Sequence, residues 1–157
     1  MPYLADTNIV TRRVLPADAR HILVRDAVDR LLLLGETVHV TAQNLVEFQA
    51  LATRPLAANG LGLTPEDASI RAQRIESIFP ILPETPDIYV HWRRLADTYR
   101  VVGRQVFDTR LVAVMLAHGI THLLTLDAHD FRRFAAEGIT IVDPSLHPET
   151  DERQDGT

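Results

Sequence analysis

The sequence holds no cysteine and no lysine among its 157 residues. The first absence excludes disulfides, thiolate metal sites and a cysteine nucleophile. The second excludes a Gly-Lys-Ser/Thr phosphate loop, the strand lysine of a protein kinase and Schiff-base chemistry. Serine is scarce too. Ser69, Ser77 and Ser145 are the only ones, and none sits in a Gly-x-Ser-x-Gly elbow, which argues against a serine hydrolase. Gly60-Leu61-Gly62 lacks the third, helix-opening glycine of a dinucleotide fingerprint. The 7 histidines show no His-Glu-x-x-His spacing. No apolar run approaches the ~18 residues of a membrane span. Asp6 comes almost at once, with no basic stretch before an apolar segment, which reads against a signal peptide. The expectation is a cytoplasmic protein with no membrane association.

What is present is an ordinary globular composition, 46% hydrophobic and 24% charged, enough for one core. The net charge is −5, from 16 arginines against 21 acids. That balance argues against bulk electrostatic binding of nucleic acid but leaves room for a local cationic rim. The all-arginine bias is also what a GC-rich genome would produce.

Apolar periodicity places the elements. Tyr3 to Ala5 reads as a buried strand and Asp6-Thr7-Asn8 as its end and a helix start. Helices are expected over Asp18 to Leu34, from a capping Thr41 to about Thr53, from Thr64-Pro65, from Pro86 to a stop at Gly103, from Val106 to His118, and over Ala128 to Ala136. Strands are expected at Thr37 to Thr41, Ile81-Leu82, Thr121 to Leu126 and Ile139 to Val142. Strands alternating with helices imply an α/β/α sandwich around a mainly parallel sheet. Residues 1–146 read as one domain and 147–157 as a polar, frayed tail.

Four carboxylates stand where carboxylates usually do not belong. Asp6 ends the first strand. Glu47 interrupts the apolar stretch Leu45 to Leu51. Asp108 shares a helix face with Leu111, Val112 and Met115. Asp127 ends the strand containing Leu123-Leu124. An unpaired buried carboxylate costs several kcal/mol. In an open parallel sheet the strand C-terminal ends form the ligand crevice, and all four acids can face it. Such a cluster either holds protons or binds a cation, and oxygen-only ligands favour Mg²⁺ or Mn²⁺ over zinc. Each acid also has a plain structural reading: Asp6 or Asp127 as a helix cap, Asp108 as the complement of a helix N-terminus, Glu47 as a solvated side chain.

The segments Leu4-Ala5-Asp6-Thr7-Asn8, Asn44 to Phe48, Phe107 to Ala113 and Leu124 to Phe131 occur in an order that resembles the PIN-domain nucleases, within them the VapC-like toxins of toxin–antitoxin pairs. The resemblance implies that Asp6, Glu47, Asp108 and Asp127 form a catalytic metal-binding quartet, with Asp130 a further acid. It implies that Thr7, Asn8 and Thr125 support those ligands. The implied activity is a Mg²⁺- or Mn²⁺-dependent endoribonuclease, a toxin leaving a 3′-hydroxyl and a 5′-phosphate. The implied partners are RNA, a VapB-like antitoxin and a second copy of the chain. Arg12, Arg13, Arg104 and Arg110, near the acidic segments in sequence, are candidates for RNA phosphates, with solvated arginine as the plain alternative. Residues 56–99 are weakly patterned against the family. The competing functions are a DNA- or structure-selective nuclease outside a toxin–antitoxin pair, and a catalytically silent binding module. A phosphoacceptor receiver domain would need a late lysine, which is absent.

Overall fold

The computed structural model describes residues 1–146. The expected tail, residues 147–157, lies outside the described residues. Five strands form one sheet: β1 (Pro2–Ala5), β2 (Thr37–Thr41), β3 (Ile81–Leu82), β4 (His122–Leu124) and β5 (Thr140–Val142), in the order β3-β2-β1-β4-β5. Among the described residues every pairing is parallel, in keeping with the expected mainly parallel sheet. The helices are α1 (Thr7–Arg13), α2 (His21–Leu33), α3 (Ala42–Thr53), α4 (Pro65–Ile78), α5 (Pro86–Thr98), α6 (Gln105–His118) and α7 (Ala128–Phe131). Among the described residues no helix is long and apolar enough to cross a membrane.

Strand alternation sends side chains to two separate cores. Leu4 and Leu123 face α5 and α6 in a cluster with Leu95, Leu111, Met115 and Phe134. Ala5, Leu124, Val38 and Val40 face the other side, against Ile9, Val24, Phe48, Ile75 and Phe79. Both faces of a parallel sheet must be covered, which is why apolar residues of β1 and β4 are buried on both sides. Each fully buried Leu, Ile or Phe contributes about 1.5–3 kcal/mol relative to exposure.

Local chemistry moves several boundaries. The second helix begins at His21, not Asp18, because the Asp18 carboxylate accepts the Arg20 amide (2.8 Å) and forms a turn first. The helix opened by Pro86 stops at Thr98, and Gly103, expected to end it, instead precedes α6. Strand β4 ends at Leu124, two residues early, where Thr125 turns its hydroxyl to Asp6. The final helix relaxes into a 3-10 turn over Arg132–Glu137.

The sheet runs outward from β1 first to β2 and β3, then returns to β4 and β5. The reversal point therefore lies between β1 and β4, where the Asp6 amide donates to the Leu124 carbonyl (2.9 Å). In open α/β sheets ligands bind at this point, beyond the strand C-termini.

Candidate active site

Asp6 directly follows β1 and caps α1. Its extended backbone (φ −73°, ψ 158°) lets Oδ1 accept the Thr7 amide at 2.7 Å. Its other oxygen accepts from the Thr125 hydroxyl (2.8 Å) and the Asn8 amide (3.1 Å). The cap reading of Asp6 is thus correct, and the residue also anchors a polar network. Asn8 Nδ2 reaches Asp127 Oδ2 at 3.0 Å, and Thr125 Oγ1 accepts the Asp127 amide at 3.0 Å. Asp127 occupies the cap position of α7 but makes no cap hydrogen bond, so its carboxylate is directed to the network instead.

Glu47 is not a solvated side chain. Its Oε2 accepts from the Thr7 hydroxyl (2.6 Å) and its Oε1 from Gln43 (2.7 Å). Asn44 holds Thr7 in turn, donating to its hydroxyl at 3.0 Å. Asn44 also closes a capping box with Thr41 at the start of α3. Asp108 lies half-buried in the first turn of α6, where its charge complements the helix N-terminus.

Thr7, Glu47, Asp108, Asp127 and Asp130 line one open cleft of about 710 Å³. Asp6 sits just behind that surface, 6% exposed. Burial pushes the Asp6 carboxyl up to about 7, opposed by the hydrogen bonds from Thr125 and Thr7 and reinforced by the charges of Asp108 and Glu47. Asp108 is pushed up to about 6, first by burial, then by the charges of Asp130, Glu47 and Asp127, with Arg104 opposing. Five acids thus converge on one recess, and two of them resist ionisation there.

The expected arginines divide. Arg104 lines the cleft. Arg110 faces a neighbouring pocket, paired with Glu84 at 2.6 Å. Arg12 and Arg13 do not line the cleft. They lie within 3.5 Å of Asp18 and Asp29, because the last turn of α1 points them toward α2 and the turn before it. Sequence reasoning missed Gln43, Arg54 and Phe107. Gln43 stands one turn before Glu47, a spacing that could have disclosed it. Arg54 ends α3 seven positions after Glu47, a helical spacing that also could have disclosed it.

The sequence matches the PIN domain family over residues 3–137. The chain belongs to the PIN domain family. This PIN domain is 29% identical over 141 residues to the Ribonuclease VapC48 of Mycobacterium tuberculosis, covering 88% of this chain and 94% of that protein. Its fold is shared with VapBC-1 from nontypeable Haemophilus influenzae, with TM-score 0.69 and 17% identity over 93% of this chain and all of that one (100%). A toxin-antitoxin complex from Klebsiella pneumoniae gives TM-score 0.61 and 18% identity, over 90% of this chain and 97% of that one.

The donor set of the PIN domain fits a hard divalent cation in type, since every acid offers oxygen alone. Among the described residues no three His, Asp or Glu side chains are yet gathered closely enough to hold an ion by themselves. Magnesium does not need such a cage, because it keeps several waters and takes only one or two protein carboxylates beside substrate phosphate. A partial set of carboxylates, positioned by hydrogen bonds from Thr7, Asn8, Thr125 and Gln43, suits that mode.

Proposed function

We propose that this PIN domain is a metal-dependent endoribonuclease and the toxin of a toxin–antitoxin pair. It hydrolyses RNA phosphodiester bonds in the cytoplasm. The observation that carries the reading is the convergence of Asp6, Glu47, Asp108, Asp127 and Asp130 at the sheet's reversal point, with Asp6 and Asp108 both raised toward neutrality. Carboxylates crowded at such a cost are a mark of function rather than stability. The kinship with a ribonuclease named VapC48 supports the substrate class.

Asp6, Glu47, Asp108 and Asp127 are the residues that would hold Mg²⁺ or Mn²⁺, one or two of them directly and the others through its waters, with Asp130 as an outer acid. When bound, the ion supplies charge to phosphoryl oxygens and acidifies water. Thr125, Asn8 and Thr7 hold the carboxylates in fixed orientations, and Gln43 does the same for Glu47. Asp108 is perturbed by burial and charge rather than by any hydrogen bond, so it is the acid free to orient an attacking water. Water attacks phosphorus, the bond to the 3′ oxygen breaks, and that oxygen leaves as a hydroxyl while the phosphate stays on the 5′ side.

The VapBC and toxin-antitoxin complexes among its structural relatives support a VapB-like antitoxin as partner; a homodimer is the assembly proposed with it. Arg104, on the cleft, is the residue of the expected four best placed for RNA phosphate.

The test is cleavage of single-stranded RNA and of DNA of the same sequence, with Mg²⁺ or Mn²⁺ and with excess chelator. RNA is expected to be cut only with metal, and Asp108→Asn is expected to reduce the rate ~10²–10³-fold with an unchanged circular dichroism spectrum. Preferential DNA cleavage would transfer the site to a DNase. No cleavage of either would leave a binding module.

A further inference from the structure

The cleft carries more than acids. Glu47, Ala50 and Leu51 line it from α3 at positions i, i+3 and i+4, and Arg54, the residue that ends α3, lines it at i+7. Phe107 and Asp108 line it from α6, and Arg104, the residue that precedes α6, joins them three positions before Phe107. Two helix faces thus flank one groove, each with an acid at one place and an arginine at another. Arg54 stands about 10 Å along α3 from Glu47 at a 1.5 Å rise per residue.

Two features of this groove do nothing for folding. Phe107 is 55% exposed, although burying a Phe side chain contributes about 1.5–3 kcal/mol. Arg54 and Arg104 form no ion pair among the described residues, although the cleft beside them is rich in carboxylates. The backbone at both positions is nonetheless held in place. The Gln43 amide donates to the Phe107 carbonyl (2.8 Å) as well as to Glu47 (2.7 Å), tying the aromatic residue to the catalytic acid. The loop after α3 folds back on Arg54: Gly62 donates to its carbonyl (2.9 Å), and a Cβ on Gly60 would overlap that carbonyl.

We infer that Phe107 and Arg54 form a substrate subsite in which an unpaired RNA base stacks on the Phe107 ring and a neighbouring phosphate meets the Arg54 guanidinium. Aromatic faces grip single-stranded bases without regard to sequence. The guanidinium fork grips phosphate. A base inside a duplex offers no free face, so the subsite selects single-stranded RNA. The inference rests on the ribonuclease reading and gives it a substrate form.

The experiment uses the full chain, a fluorescein-labelled single-stranded RNA octamer and the same octamer in duplex. Binding is measured in chelator, in an Asp108→Asn background, across a salt series. Phe107→Ala is expected to weaken single-strand binding about tenfold at every salt concentration. Phe107→Trp should keep the affinity, and duplex binding should not respond to either change. Arg54→Gln is expected to flatten the salt slope by about one unit, with Arg54→Lys restoring it. In the metal-loaded parent, both losses should appear in KM with kcat little changed. Thermal melting of each variant guards against misfolding, which the exposure of Phe107 makes a small risk. If the parent cuts RNA and the Phe107 and Arg54 variants bind and cut it equally well, the subsite is wrong and the nuclease reading stands. If the parent cuts no RNA, both fall.

Discussion

Asp6 concentrates the conflict between stability and activity into one side chain. Its carboxyl is raised from 3.8 to about 7, so the folded state holds that proton more tightly than the unfolded chain does. The stability it confers is complete below about pH 4 and is lost as pH rises through 7; Asp108, raised to about 6, adds in the same direction. Metal-free protein is therefore expected to melt higher at pH 5 than at pH 8. Asp6→Asn should flatten that dependence and raise the melting temperature at pH 8 by about 3–6 °C, a gain of order 1–2 kcal/mol at this size, while abolishing cleavage. A lower melting temperature at pH 8 for Asp6→Asn would mean that the three donors to Asp6 outweigh the burial of its charge. The four principal acids were legible from the sequence because each interrupts an apolar stretch or ends a strand, where a charge has no folding reason to be. Arg12 and Arg13 fall outside the cleft because nearness in sequence to Asp6 is not nearness in space. One helical turn carried them to Asp18 and Asp29. Phe107 was not legible as a cleft residue, since exposure of an aromatic residue cannot be read from its neighbours in sequence.

At the scale of elements, caps and breakers fixed most of the fold in advance. Thr41, Thr64-Pro65, Pro86 and Gly119 all mark ends that the structure keeps. The misplaced ends share one cause, a side chain that finds a better partner than the regular ladder offers, as with Asp18 and Thr125. The loop after α3 was opaque, because its shape depends on long-range closeness. Leu61 and Leu63 donate back to Leu51 and Ala52 (3.0 and 2.8 Å), and Gly60 packs on Arg54 with no space for a methyl. Gly60→Ala should therefore destabilise the protein by about 1–3 kcal/mol through overpacking. It should also weaken RNA binding by displacing Arg54. Urea unfolding and the octamer binding assay check the two effects.

For the whole molecule, a bound cation and folding should be coupled. An ion that binds only the folded state stabilises it by mass action, about 2.7 kcal/mol at a hundredfold excess over Kd. Mn²⁺ is thus expected to raise the melting temperature by about 5–10 °C at pH 8. At pH 5, where Asp6 and Asp108 hold their protons, the rise should nearly vanish. An equal rise at both pH values would place the ion elsewhere. The parallel sheet has one more consequence, in time rather than in energy. The strand carrying Asp6 is synthesised first, yet it lies between β2 and β4 and can be enclosed only after both exist. Thr125, which bonds to Asp6, follows it by 119 positions. At ~5–20 residues per second, a ribosome needs about 6 to 24 s to bridge that interval. A nascent chain is unarmed throughout it, and the nuclease becomes whole only once that late strand has emerged.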